Sequence, residues 1–208
     1  MFITFEGIDL SGKSTQAQLL YRYLKQKKIK VLLVREPGGT EISEKIRHIL
    51  LDRKNSGMLS LTEFLLFSSA RHQLTEEVIK PHLQKGYIVL CDRYFDSSTA
   101  YQGYGGKVDM KTINTVNRIA SSGMNPGLTF FVDIDLKESA LRRKKAGKEK
   151  DRMEQKEMKY FRKVISGYRE LCRKHPGRFV RIDGKMPVQE ILEKIIKELK
   201  RKHVIKEK

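Results

Sequence analysis

The stretch Phe2-Ile3-Thr4-Phe5-Glu6-Gly7-Ile8-Asp9-Leu10-Ser11-Gly12-Lys13-Ser14-Thr15 decides the fold. Phe2 to Phe5 form a short, mostly apolar run of the kind that occupies a sheet buried on both faces. Gly7 to Ser14 then satisfy G-x-x-x-x-G-K-[ST], and Ala17, Leu20 and Leu24 follow at helical spacing. Strand, glycine-rich turn and helix in that order are the context a phosphate-binding loop requires. Gly7 and Gly12 let backbone N–H groups turn toward phosphate oxygens, and a helix starting at Lys13 adds its positive end. Lys13 then neutralises β/γ charge and the Ser14 hydroxyl is placed to ligate Mg2+. A turn that merely joins strand to helix is the bland alternative, and it leaves the lysine without a purpose. The motif by itself gives nucleotide binding, not the reaction.

Outward from this loop, four more apolar runs recur: Val31–Val34, Tyr87–Cys91, Leu128–Val132 and Arg178–Ile182. Helical patterns separate them, the clearest being Val188, Ile191, Leu192, Ile195, Ile196 and Leu199 after a first-turn Pro187. Ser60-Leu61-Thr62-Glu63 reads as a capping box that opens a helix running to about Leu83. The alternation predicts an α/β fold, a doubly wound parallel sheet in one domain over residues 1–208. A charged, mobile lid is expected at about 140–154 and a frayed basic tail at about 200–208.

Composition excludes several classes. Two cysteines, Cys91 and Cys172, form no C-x-x-C pair, so neither a zinc ribbon nor a dithiol redox centre is available, and reduced thiols suit a cytoplasmic protein. No apolar run approaches the ~18–20 residues needed to cross a bilayer. The five histidines show no metal-ligand spacing. Lys and Arg number 43 against 25 Asp and Glu, a net charge of +18 that attracts anions of any kind, nucleic acid included. The basic clusters carry no interleaved aromatics and no nucleic-acid motif, which disfavours a nucleic-acid-binding ATPase. Asp92, ending an apolar run, occupies the place of a second acid at the phosphate site, with a surface pair to Arg93 as the alternative. No N-K-x-D guanine motif occurs, which counts against a GTPase.

Beyond the loop the sequence resembles the thymidylate kinase family. Phe5-Glu6-Gly7, Arg35-Glu36-Pro37-Gly38-Gly39-Thr40, Leu66-Phe67-Ser68-Ser69-Ala70-Arg71 and Asp92-Arg93-Tyr94-Phe95-Asp96-Ser97-Ser98-Thr99-Ala100-Tyr101-Gln102-Gly103 match its motifs in order and spacing. The resemblance implies a P-loop kinase fold with a five-stranded parallel sheet, a homodimer, Mg2+, and phosphorylation of dTMP by ATP. It further implies that Gly7, Ile8, Asp9, Leu10, Ser11, Gly12, Lys13, Ser14 and Thr15 hold ATP, with Ser14 and Asp92 toward the metal. Phe67 would stack on thymine, Arg71 would donate to a base carbonyl and Gln102 would reach the N3 edge. Ser98 and Tyr101 would shape the pocket, Asp9 would meet the sugar 3′-hydroxyl, and Arg93, Glu36 and Arg47 would lie at the acceptor phosphate. Phe67 could equally be a core residue. Arg71, one helical turn on, projects from the same face.

The family's loop carries Gly or Arg where this chain has Leu10. No arginine occurs among residues 8–11, and the chain looks like the family's bacterial arrangement, which implies that a lid arginine closes over the phosphates; a solvated charge run is the alternative. Arg142, Arg143 and Arg152 are available, the last in Asp151-Arg152-Met153-Glu154, similar to the family's D-R-x-E element; Arg143 and Arg152 are taken as catalytic beside Lys13 and Arg93. One methyl group separates dTMP from dUMP, so selectivity between them stays open.

Overall fold

A computed structural model describes residues 1–147, 149 and 151–205. Five strands, β1 (Phe2–Glu6), β2 (Val31–Arg35), β3 (Ile88–Asp92), β4 (Leu128–Asp133) and β5 (Phe179–Asp183), form one parallel sheet in the order β2-β3-β1-β4-β5. Every residue of β1 and β4 is buried, as continuous apolar runs require, whereas the edge strands β2 and β5 are partly exposed. The sequence-based strands agree to within a residue. The chain reverses direction of winding between β1 and β3, and ligands of such sheets bind at this switch point, beyond the carboxyl ends of the strands.

Register determines what meets there. Phe5 pairs with Asp92 across β1 and β3, and Arg35 pairs with Asp92 across β2 and β3. The phosphate loop, Arg93 and Glu36 therefore emerge side by side. Helices α1 (Lys13–Gln26) and α9 (Val188–Arg201) cover one face, with Ala17, Leu20 and Leu24 meeting Ile191, Ile195 and Leu199 in one apolar core. The remaining helices are α2 (Glu41–Leu51), α3 (Ser60–Leu74), α4 (Lys80–Gln84), α5 (Phe95–Ser98), α6 (Met110–Ala120), α7 (Leu136–Ala146) and α8 (Met158–Lys174), of which α4 packs on β3 and α8 on β4 and β5. Thr40 caps α2 by accepting from the Ser43 N–H at 3.1 Å, and the Ser43 hydroxyl donates to the Ala70 carbonyl at 2.8 Å, tying α2 to α3.

Four local expectations are corrected. The helix expected over 60–83 is α3, a π-helical turn at Thr75–Ile79 and then α4; the Thr75 hydroxyl meets Tyr94 Oη at 2.9 Å where the helix widens. Leu59, not Ser60, stands at the N-cap of α3, and the Glu63 carboxylate points into the protein instead of back at the helix start. Residues 140–146 of the expected lid continue α7. Residues 200–205 are not frayed: Val204 and Ile205 pack on the α1/α9 core. Lys148 and Lys150 of the lid, and residues 206–208 of the tail, lie outside the described residues.

Candidate active site

The phosphate loop takes its shape from backbone conformations the sequence foretold and one it did not. Gly7 has φ +145, and a Cβ there would sit 2.6 Å from the Val132 carbonyl and 2.8 Å from Ser11 Oγ, so no other residue fits. Leu10 adopts φ +63, the left-handed region, without glycine's freedom. Arg93, leaving β3, does the same at φ +71. Such strain persists where the surroundings hold it, and it aims the Arg93 side chain back over the loop.

Arg93 is the hub. Its Nη1 donates to the Gly7 carbonyl at 2.8 Å, and its Nη2 donates to Asp9 Oδ1 at 2.6 Å. Its guanidinium carbon lies 5.1 Å from the centre of the Tyr101 ring. The Lys13 ammonium is 3.9 Å from Asp9 and 4.0 Å from Asp92. Burial alone would raise the Asp9 carboxyl, but Arg93 and Lys13 together hold it below the usual carboxylate range. Burial lowers Lys13, with Arg93 adding to the effect and Asp92 and Asp9 opposing it.

Two cavities open around this hub. One is lined by the loop from Asp9 to Gln16 with Arg35, Asp92, Arg142 and Glu154. The other is lined by Phe67, Ser97, Ser98, Tyr101, Gln102 and Met153. Asp9, Glu36, Arg47 and Arg93 belong to both, so they form a shared wall. The first cavity suits a polyphosphate and the second a planar ring. Asp92 Oδ1 is buried and has no hydrogen-bond partner among the described residues, a lone carboxylate oxygen in the cavity that Ser14 also lines. Among the described residues no cluster of three His, Cys, Asp or Glu could hold a metal by itself. A hydroxyl and one carboxylate oxygen fit a hard cation that keeps its waters and binds chiefly through phosphates.

The expected residues divide. Phe67 is half-buried: it lines the second cavity and packs against the apolar cluster around Tyr101. Ser98, Tyr101 and Gln102 line that cavity with it. Arg47 donates to the Pro37 carbonyl at 2.8 Å from the shared wall. Arg71 does not line the cavity. Fully buried, it donates to Glu36 through Nε and Nη2, to Asn117 through Nη1 and to Ser98 through Nη2. These bonds use four of the five N–H groups a guanidinium has, leaving one on Nη1.

The lid arginines separate as well. Arg142, one of the three candidate lid arginines though not among the two taken as catalytic, lines the phosphate cavity and donates to the carbonyls of Ser11 at 3.1 Å and Gly184 at 2.6 Å. Arg143 forms a two-pronged pair with Glu154, at 3.0 and 2.7 Å. Arg152 is buried, donating to the Leu50 carbonyl at 2.6 Å and to Glu63 at 2.8 Å, away from the phosphate loop. Glu63 is the residue the sequence reading misplaced, as a helix cap. Its spacing held the signal: it lies four residues before Phe67 and eight before Arg71, on the same helix face.

A phosphate loop at the switch point, sharing a wall of two arginines and two carboxylates with a pocket for a second ligand, defines a P-loop kinase that moves a phosphoryl group between two bound molecules. The sequence model of the family described as thymidylate kinase matches residues 5–195. A thymidylate kinase of Chlorobium luteolum is 47% identical over 208 residues, 96% of each chain. One from a Sulfurihydrogenibium species is 43% identical over 98% of each. The crystal structure of the Ehrlichia chaffeensis thymidylate kinase superposes with a TM-score of 0.78 at 36% identity, covering 96% of this chain and 98% of that one. The chain belongs to the thymidylate kinase family.

Proposed function

We propose that this protein transfers the γ-phosphoryl group of ATP to dTMP, giving dTDP and ADP, with Mg2+, as a cytoplasmic homodimer. The observation that carries this reading is the shared wall of Asp9, Glu36, Arg47 and Arg93 between the two cavities.

The acceptor oxygen belongs to a phosphate monoester whose second pKa is about 6, so it is anionic at neutral pH and needs no general base. The obstacle is repulsion between two polyanions brought in line, and fixed cations offset it. Lys13 holds the donor's β/γ oxygens. Arg93, anchored on Gly7 and Asp9, turns between donor and acceptor phosphates. Arg47 completes the acceptor side. Ser14 and Asp92 would hold Mg2+, which when bound would further neutralise the phosphate charge. Phe67 stacks on the base, worth about 1–3 kcal/mol. Gln102 meets N3, Ser98 and Tyr101 shape the pocket, and Asp9 faces the sugar hydroxyl; Arg71, which backs the pocket through Ser98, brings its remaining Nη1 hydrogen to a base carbonyl only if the wall at Ser98 moves aside. Arg143 or Arg152 reaches the phosphates only if the lid segment leaves its ion pairs with Glu154 and Glu63.

The homodimer reading is supported by apolar side chains exposed on three helices: Ile42 and Ile49 on α2, Leu61 and Leu65 on α3, and Ile119 on α6. Helix α3 packs against both α2 and α6, which brings these faces together. No described helix is long and apolar enough to cross a membrane.

ADP release measured across nucleoside monophosphates, with Mg2+ present or withheld, tests the function. Mg2+-dependent release with dTMP as preferred acceptor is expected. Release stimulated by single-stranded DNA and indifferent to dTMP would overturn the reading in favour of a nucleic-acid-dependent ATPase.

A further inference from the structure

Glu63 is 1% exposed on α3, and four hydrogen bonds converge on its carboxylate. Oε1 accepts from Gln102 Nε2 at 3.0 Å and from the Lys156 ammonium at 3.0 Å. Oε2 accepts from Arg152 Nη1 at 2.8 Å and from Lys156 at 3.0 Å. Two cations therefore balance one carboxylate, and among the described residues the only neutral donor is the amide of Gln102.

This asymmetry has a chemical consequence. A carboxamide has one end that donates and one that accepts, and reversing it changes little in shape but inverts what it offers. Beside an acceptor-only carboxylate the Gln102 amide must present Nε2, since its carbonyl there would face like charge. Gln102 is 2% exposed and lines the acceptor pocket, and its Oε1 has no hydrogen-bond partner among the described residues. The pocket is thus offered a hydrogen-bond acceptor. Thymine and uracil carry N3–H, a donor; the N3 of cytosine carries none.

We propose that Glu63 is a positioning residue for acceptor-base selection: it locks the Gln102 carboxamide with its oxygen toward the pocket and so favours N3–H bases over cytosine. The proposal rests on the dTMP kinase reading. Glu63→Gln discriminates it from a structural role. Arg152, which bonds Oε2 alone, draws the oxygen of the new amide to that side; Lys156, which bonds both oxygens, keeps its bond there and gives up the one to the Oε1 side, so the new NH2 faces Gln102. The Gln102 amide then reverses and presents Nε2 to the pocket, a donor that suits cytosine N3. A site that makes a specific hydrogen bond rejects a base that cannot complete it, because a buried polar group is left unpaired.

The experiment compares kcat/KM for dTMP and dCMP, and KM for ATP, in the unsubstituted protein, Glu63→Gln and Gln102→Leu, with thermal melts to confirm folding. The expected result for Glu63→Gln is a fall of about tenfold or more in the dTMP-to-dCMP ratio. It appears as a raised KM for dTMP and a lowered KM for dCMP, with KM for ATP unchanged. Equal losses for both acceptors, or an unchanged ratio, in a protein whose Gln102→Leu variant does lose selectivity, would overturn the proposal and leave the kinase reading standing. An unsubstituted protein inactive toward dTMP would overturn both. Should Glu63→Gln melt too early for kinetics, Glu63→Gln combined with Arg152→Met removes one buried cation and is read by the same ratio.

Discussion

Arg71 Nη2 lies 2.6 Å from Glu36 Oε1, and Nε bridges both carboxylate oxygens at 2.9 and 3.0 Å, in a pair with essentially no solvent exposure. It joins α3 to the segment after β2 behind the acceptor pocket. Removing one partner leaves a buried charge alone, so Glu36→Ala is expected to lose about 3–5 kcal/mol of stability. Replacing both, as Glu36→Leu with Arg71→Met, restores most of it. In that double variant KM for dTMP is expected to rise far more than KM for ATP, because the pair backs the acceptor pocket at Glu36 and Ser98; equal changes in both would remove the pair from the acceptor site.

Lys13 and Asp92 face one another across the phosphate cavity at 4.0 Å. Lys13→Ala is expected to lower turnover by about 10²–10³-fold, the worth of a fixed electrostatic donor, with the melting temperature preserved. Asp92→Asn raises the Mg2+ concentration giving half-maximal activity by about tenfold. Mg2+ titrations of the two variants separate the roles.

Leu10 stands at φ +63, a conformation costing a branched residue about 1–2 kcal/mol. Glycine relieves that strain but adds about 0.5–1 kcal/mol of unfolded-state entropy. Leu10→Gly is therefore expected to stabilise by up to about 1 kcal/mol, seen as a higher urea midpoint with unchanged slope. A lower midpoint would show that the leucine side chain contributes packing greater than its backbone cost.

Glu6, at the end of β1, is fully buried and accepts from the Tyr94 N–H at 2.8 Å, the Ser97 hydroxyl at 2.6 Å and Tyr168 Oη at 2.9 Å. Burial, with the nearby Asp96 charge, pushes its carboxyl up to about 8 from 4.5. The folded protein then holds a proton that the unfolded chain releases above about pH 4.5. This contribution to stability is full below pH 4.5 and declines as pH rises to about 8. Urea midpoints measured across that window are expected to fall less steeply for Glu6→Gln; parallel curves would contradict the assignment.

The exposed apolar residues of α2, α3 and α6 bear on assembly. Leu61→Asp with Leu65→Asp places two charges on that face. Sedimentation is expected to change from dimer to monomer, with the monomer still folded by circular dichroism.

How much of this was legible in the sequence varies with the physics of each part. The phosphate loop was readable because backbone conformation at Gly7 and Gly12 depends on residue type and neighbours a few positions away. The sheet was readable because continuous burial leaves continuous apolar runs. Phe67 could be assigned to a pocket or to the core, and the fold makes it serve both. The helix does start at Ser60, but its capping was misread because a Ser-x-x-Glu pattern describes local bonding, and Glu63 instead found partners far away in the chain.

By itself, then, the amino-acid sequence determined the strand order's raw material, the nucleotide loop and the family, all properties carried by short-range pattern. Only the tertiary structure decided which charges are committed and which face the cavities. Arg71 meets a glutamate 35 residues away and Arg152 one 89 residues away. Ion pairing across such separations depends on burial and on register between elements, and neither leaves a periodic trace along the chain.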